Sequence, residues 1–274
     1  MFVMYKIGWF SSGRDEAARE LLNVVWDSIQ NGFIPAQFDF VFSNRERGQD
    51  AESDFFFHLV QSYDIPLICN SSKNFKLEVR RKNIEEWRIA YDREVMKSLK
   101  EHEPDLCVLA GYMLVTGPEL CKKFKMINLH PAEPGGPTGT WQEVIWKLIE
   151  TRADKTGVMM HLVTEILDRG PAITFCTFPI RGGKFDHLWK DIEKKLKIKS
   201  LEDIIQKEGE GEPLFAEIRK EGVKRELPLI IQTIKEFADG RVKVEDGKII
   251  AEGKIISGAY DLSEKIEMIL RDEV

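Results

Sequence analysis

Short apolar runs alternate with amphipathic stretches through the N-terminal half of the chain, and this alternation limits the available folds more than any other feature. Tyr5–Phe10 reads as a strand, and from Asp15 to Gln30 apolar residues recur at helical spacing (Ala18, Leu21, Leu22, Val25, Trp26, Ile29). Phe38–Phe42, Ile65–Cys69, Leu106–Ala110 and Ile127–Leu129 read as further strands. Asp54–Tyr63 and Ile84–Glu101 read as helices between them. Short strands separated by helices predict parallel βαβ units with strands buried on both faces, so the expected class is α/β, a mostly parallel sheet flanked by helices. Ligands in such sheets lie beyond the carboxyl ends of the strands. The loops at those ends are Ser11-Ser12-Gly13, Phe42-Ser43-Asn44, Gly111-Tyr112-Met113 and Asn128 through Gly139.

The second half changes character. Gly157–Val163 and Ala172–Ile180 predict two strands around the turn Asp168-Arg169-Gly170-Pro171. Lys184–Gly211 is densely charged, with Leu188, Ile192 and Leu196 at helical spacing, and reads as an inserted helical excursion. Ala216–Ala238 predicts a helix interrupted near Gly222 and Pro228. Arg241–Ile256 alternates apolar residues around Asp246-Gly247 and Glu252-Gly253, which predicts hairpins. Asp261–Asp272 predicts a terminal helix. No Pro/Gly/Ser-rich linker divides the halves, so the expectation is one domain over 1–274, with a core of about 1–182 and 223–256 and an insertion of about 183–222.

The bulk properties narrow the partners. The net charge of -6 disfavours nucleic acid and anionic membranes. No apolar stretch reaches the roughly 18–20 residues of a membrane span. Met1 to Phe10 lacks the basic start and cleavage site of a secretory signal and reads as a first buried strand. Cys69, Cys107, Cys121 and Cys176 form no CxxC pair, which suits small core residues in a reducing cytoplasm. The histidines show no HExxH-type spacing, so no metal is expected. Ser11-Ser12-Gly13 is not GxGxxG, which disfavours NAD.

The segment richest in chemistry is Met126-Ile127-Asn128-Leu129-His130-Pro131. Asn128 and His130 are two apart on a strand and project to one side, with His130 at its carboxyl end. A carboxamide and an imidazole pointing together can both hydrogen-bond one carbonyl oxygen, as an oxyanion stabiliser and a proton carrier do. Taken alone, the pair equally serves to cap local backbone. Asp168, on the turn after Glu165-Ile166-Leu167, can reach a neighbouring strand end and raise the pKa of His130, or simply form the turn.

The runs Ile127-Asn128-Leu129-His130-Pro131, His161 through Pro171 and Leu109-Ala110-Gly111-Tyr112-Met113 together resemble the 10-formyltetrahydrofolate-dependent formyltransferases. The nearest members formylate glycinamide ribonucleotide in de novo purine biosynthesis. Val41-Phe42-Ser43-Asn44, Ala90-Tyr91-Asp92-Arg93-Glu94 and Phe237-Ala238-Asp239-Gly240-Arg241 extend the resemblance over most of the chain apart from roughly 182–222. It implies a Rossmann-like formyltransferase fold. It also implies 10-formyltetrahydrofolate as cosubstrate without a metal, and Asn128, His130 and Asp168 as the catalytic set. Tyr112, Met113, Leu114 and Val115, with Glu165 on the Asp168 loop, match the folate pocket. Ser12, Gly13 and Arg14 match the acceptor's phosphate loop, and Arg88 matches a family arginine placed to reach that phosphate.

The match frays on the acceptor side. Gly13-Arg14-Asp15 stands where the family has Gly-Ser-Asn. Ala132 through Pro137 replaces a longer loop, and Trp141 lies where a histidine is common. The family glutamate five residues before the late proline falls on Val223, with Glu221 nearby. The expected partners are a small phosphorylated amine and folate, without nucleic acid or membrane; a homodimer stays open. The alternatives are another amine such as an amino-sugar nucleotide, water as acceptor, or a folate-binding paralogue without catalysis. A tRNA substrate is disfavoured by the negative charge and the short hairpin tail.

Overall fold

A computed structural model describes residues 4–272 apart from Leu167 and Asp246. The expectations for Met1–Val3, for Leu167 and for the Asp246 position of the hairpin turn lie outside the described residues. Along the chain run β1 (Tyr5–Phe10), α1 (Glu16–Gln30), β2 (Ala36–Ser43), α2 (Ala51–Ser62), β3 (Leu67–Cys69), α3 (Leu77–Lys82), α4 (Ile84–Ser98) and β4 (Leu106–Leu109). Next come α5 (Pro118–Lys123), β5 (Met126–His130), α6 (Trp141–Glu150), β6 (Lys155–Leu162), β7 (Ala172–Pro179), α7 (Phe185–Leu196) and α8 (Leu201–Glu208). The chain ends with α9 (Pro213–Ala238), β8 (Val242–Glu245), β9 (Lys248–Ala251), β10 (Lys254–Ile255), β11 (Tyr260–Asp261) and α10 (Ser263–Asp272). The chain divides into two compact units, residues 1–129, 161–171 and 230–255 in the first and 130–160, 172–229 and 256–274 in the second.

In the first unit the strands lie in the order β3-β2-β1-β4-β5, and each neighbouring pair is parallel. The order reverses between β1 and β4, and such a switch point opens a crevice at the carboxyl ends. There the loops after β1 and β4 meet, as the Ser12 amide donates to the Gly111 carbonyl at 3.0 Å. Register brings Leu109 opposite Asn128. One face of these strands carries Phe10, Phe40 and Phe42, packed against Trp87, Tyr91 and Val95, which recur every four residues along α4. Burying aromatic rings of this size is the main favourable term for such a layer. Asn83 caps α4 by accepting from the Glu85 and Glu86 amides. The hairpins expected over Arg241–Ile256 are present as the antiparallel sheet β8-β9-β10.

The second unit contains β7 with β11 parallel beside it, most of β6, and helices α6, α7, α8 and α10. Its core joins Val144, Ile145 and Ile149 of α6 to Phe185, Trp189 and Ile192 of α7, Ile204 of α8 and Phe215 and Ile218 of α9. The charged stretch expected as an insertion therefore supplies much of this core, and its charge lies on the outer faces of amphipathic helices. Helix α9 runs unbroken through Gly222 and Pro228, which corrects the expected interruption. Phe215 and Ile218 before Pro228, and Leu229 and Ile234 after it, are buried, and their packing outweighs the lost backbone hydrogen bond. Helices α3, α5 and α6 were not expected from the sequence. Among the described residues no helix is long and apolar enough to cross a membrane.

One buried carboxylate binds α9 to its surroundings. Glu221 accepts from Lys184 Nζ at 2.6 Å, Lys224 Nζ at 2.7 Å and Arg225 at 2.9 Å. Burial alone would raise its pKa, but these three donors together hold it down at about 2. Its stabilising contribution is therefore complete above the ordinary glutamate pKa and is lost as pH falls from about 4.5 toward 2. Glu221→Gln is expected to destabilise the protein by about 3 kcal/mol at pH 7, because it removes the counter-charge of the buried Arg225 and of two half-exposed lysines. The difference from wild type in thermal unfolding should shrink steadily below pH 4 and vanish near pH 2.

Candidate functional site

A site forms in the first unit where β5, the end of β6 and the turn after it converge on the loop following β4. Asn128 extends from β5 beside Leu109, and His161 lies at the carboxyl end of β6. The His161 ring is 2 % exposed. Its Nδ1 lies 3.0 Å from the Leu162 carbonyl, which makes that nitrogen the donor. In the neutral ring Nε2 then accepts from Asn128 Nδ2 at 3.2 Å. Asp168 Oδ1 stands 3.6 Å from the same Nε2, so protonation of the ring would place a charged donor against this carboxylate.

The turn that presents Asp168 is tightly specified. Asp168 has φ 52°, in the left-handed region that Asp tolerates better than most residues. The Leu162 amide donates to the Pro171 carbonyl at 2.9 Å and closes the turn. A Cβ on Gly170 would stand 1.7 Å from the Leu162 carbonyl oxygen, so this position admits glycine alone.

Tyr112, Leu114, Val115, Thr116 and Val163 complete a pocket of about 50 Å³ around Asn128, His161, Thr164 and Asp168. Burial raises the Tyr112 phenol well above its ordinary pKa, so it is neutral throughout the physiological range. The opposite side of Val115 and Thr116 walls a larger cavity of about 280 Å³, lined also by Glu85, Arg88, Gly117 and Glu165. Arg88 pairs there with Glu85. The two pockets thus share a wall.

Met113 is 47 % exposed and does not line the small pocket. Its amide donates to Ser12 Oγ at 3.1 Å, and Ser12 Oγ donates to Asn44 Oδ1 at 2.7 Å. The Ser12 hydroxyl is therefore used to hold the loop after β4. Gly13 has φ 57°, and Arg14 pairs with Asp15 at 3.4 Å. Asp15 caps α1 by accepting from the Ala18 amide at 3.0 Å. His130 belongs to the second unit, where its buried ring donates from Nε2 to the Pro137 carbonyl at 3.0 Å. Glu221, which stands near the position of the family glutamate, is held in the ion cluster described above. Among the described residues no group of His, Cys, Asp or Glu is gathered as for a metal ion.

Sequence reasoning passed over His161, although it opens the run ending at Pro171. Its signal is positional: like His130, it stands at the carboxyl end of a strand. Thr116, Val163 and Thr164 carried no signal, because they are ordinary residues that become pocket walls only through the loop geometry.

The model of the formyl transferase family matches residues 7–194. The phosphoribosylglycinamide formyltransferase of Haemophilus influenzae is 26% identical over 241 residues, covering 86% of this chain and 90% of that protein. The Escherichia coli protein of the same name is 31% identical over 102 residues, 35% of this chain, and the match spans only 45% of that relative's length. Among solved structures, the phosphoribosylglycinamide formyltransferase of Coxiella burnetii aligns with a TM-score of 0.67 at 20% identity, covering 94% of this chain and 100% of that one. At that identity the likeness concerns the fold.

Gly170→Ala is expected to displace the Asp168 turn and to destabilise the protein by about 2 kcal/mol or more, since overpacking against backbone has no rotamer to relieve it. Urea unfolding measures the loss.

Proposed function

The chain belongs to the formyl transferase family, and on that premise we propose that it moves a formyl group from 10-formyltetrahydrofolate to the amine of a small phosphorylated substrate, glycinamide ribonucleotide, in cytoplasmic purine synthesis. The observation that carries this reading is the meeting of the Asn128 amide and the Asp168 carboxylate in one pocket with an apolar, aromatic wall. The pocket's chemistry suits a flat heteroaromatic ring: Tyr112, Leu114, Val115 and Val163 offer its faces contact, while Thr164 and Asp168 offer its edge polar partners. At about 50 Å³ the pocket is small beside a fused bicyclic ring, so the wall Leu114–Thr116 has to shift for such a ring to enter. The adjoining cavity offers Arg88 to the carboxylate tail of a folate, which has to take the place of Glu85 in its ion pair. This reading moves Arg88 from the acceptor's phosphate to the donor.

In the proposed reaction the substrate amine attacks the formyl carbon, and the carbonyl electron pair moves onto oxygen. Asn128 has two amide protons: one goes to His161 Nε2, which sets the orientation of the carboxamide, and the other is aimed at the developing oxyanion. The resemblance to the family assigns His130 the part of a second, charged stabiliser of that oxyanion. Asp168 takes the proton from the attacking nitrogen through water and returns it to the folate nitrogen as the carbon–nitrogen bond breaks. The products are the formamide and tetrahydrofolate.

A second reading, an acceptor without a phosphate at the β1 loop, has one specific observation in its favour. The N-terminus of α1, where a phosphate would gain from the helix dipole, already holds the Asp15 carboxylate. Comparing glycinamide ribonucleotide with its dephosphorylated riboside as acceptor separates the two.

A steady-state assay with 10-formyltetrahydrofolate tests the main reading. His130→Ala should abolish turnover, and Asp168→Asn should keep the fold and lower kcat by about 10²-fold or more. A near-normal rate in Asp168→Asn would discard the role given to that carboxylate. Arg88→Ala should raise KM for the donor and leave that of the acceptor, whereas a rise confined to the acceptor would return Arg88 to the phosphate.

A further inference from the structure

The wall shared by the two pockets is the short segment Leu114–Thr116, and its two flanks are fastened differently. On its amino side, the Met113 amide is held by Ser12 Oγ, itself locked to Asn44, whose Nδ2 donates to Ser72 Oγ at 3.0 Å. On its carboxyl side, the Gly117 amide donates to Asp92 Oδ2 at 2.6 Å. Asp92 is 4 % exposed and stands on α4 next to Tyr91, in a layer otherwise built from aromatic and aliphatic side chains. Gly117 precedes α5 and has no side chain with which to cap it, so the Asp92 carboxylate supplies the cap from another helix. The fit is close: a Cβ on Gly117 would stand 2.6 Å from Asp92 Oδ2. The next residue, Arg93, grips Glu119 with both Nε and Nη2, a second tie between α4 and α5.

We propose that Asp92 is a positioning residue for formyl transfer: by holding the Gly117 amide it sets the Val115–Thr116 wall, and thereby the affinity for the folate donor, without touching the donor or the reacting atoms. The proposal rests on reading the small pocket as the donor site. A charge in this layer is costly unless its hydrogen bond does something for the fold or the site. A flank held by one charge-assisted bond, unlike the serine–asparagine lattice on the other side, is also the flank that loosens when the charge is lost.

The groups facing Asp92 are known from every side. Arg88 and Tyr91 lie on its own helix, Glu119 and Cys121 on α5, and Tyr112 on the loop. Burial raises its carboxyl pKa to about 6, helped by the Glu119 charge and opposed by the Gly117 amide and Arg88. Ionised Asp92 therefore holds the loop above about pH 6, and the grip weakens as pH falls through that value.

The test compares wild type, Asp92→Asn and Asp92→Ala in the full chain by two readouts. The first is the affinity for 5,8-dideazafolate, a donor analogue that carries no formyl group to transfer, together with donor KM and kcat. The second is hydrogen exchange at residues 112–117 without ligand. Asp92→Ala should weaken analogue binding and raise donor KM by about tenfold, with kcat within about threefold of wild type, and should speed exchange at Gly117. Asp92→Asn, which keeps an acceptor oxygen but no charge, should lose about threefold at pH 7.5 and be flat down to pH 5. Wild type should converge on the Asn variant over that interval. Should Asp92→Ala not fold, the Asn variant and the pH comparison decide alone. Unchanged Gly117 exchange in the variants, or analogue affinities within twofold of wild type at both pH values, would overturn the role of Asp92. A wild type that takes up no analogue while Gly117 exchange still responds would sink the donor-pocket reading and leave the clamp standing.

Discussion

A buried imidazole holds together polar groups that the chain delivers from distant positions. His161 accepts from the Asn128 amide and faces the Asp168 carboxylate through the same nitrogen, while its other nitrogen is committed to backbone. In a site almost closed to water, each of these groups would be expensive to leave without a partner. The arrangement therefore fixes more than position. It sets the tautomer of the ring, the orientation of the Asn128 carboxamide and the direction in which its second proton points. The proposed oxyanion donor is thus oriented by a neighbour that itself need not touch the reacting atoms.

Backbone constraints do the rest of the positioning. The turn carrying Asp168 closes on the Leu162 carbonyl so tightly that Gly170 has no room for a side chain. The loop after β4 is fastened at Met113 by Ser12 and at Gly117 by Asp92, leaving only a few residues between the two fastenings to form pocket wall. A pocket built this way takes its shape from backbone fastened at both ends of a short segment. The same economy explains why the Ser12 hydroxyl is used to support the loop.

The second unit shows how charge can conceal a core. Between Lys184 and Gly211 charged residues dominate, yet Phe185, Trp189, Ile192 and Ile204 fall at spacings that align them on helix faces turned inward. Lys and Arg stems cover apolar surface while their heads reach partners. Arg219 lies over the Trp141 ring at 4.6 Å, and Arg225 lies over Phe178 at 4.2 Å. Trp141 is thereby tied into packing with Arg219 and Phe215.

The sequence by itself determined the local periods: the parallel strands β1, β2, β4 and β5, helices α1 and α4, and the strand ends where Asn128 and His130 stand. Alternation and helical spacing are short-range signals, carried by neighbouring residues. It also marked Asp168 as a turn residue near chemistry. Only the tertiary structure decided that His161 is the partner of Asn128, that Arg88 lies across a shared wall from the small pocket, and that α9 continues through Pro228. These outcomes depend on which residues meet after the strands have ordered themselves and which packing energies outweigh local preference. No window of sequence contains both partners of such a contact.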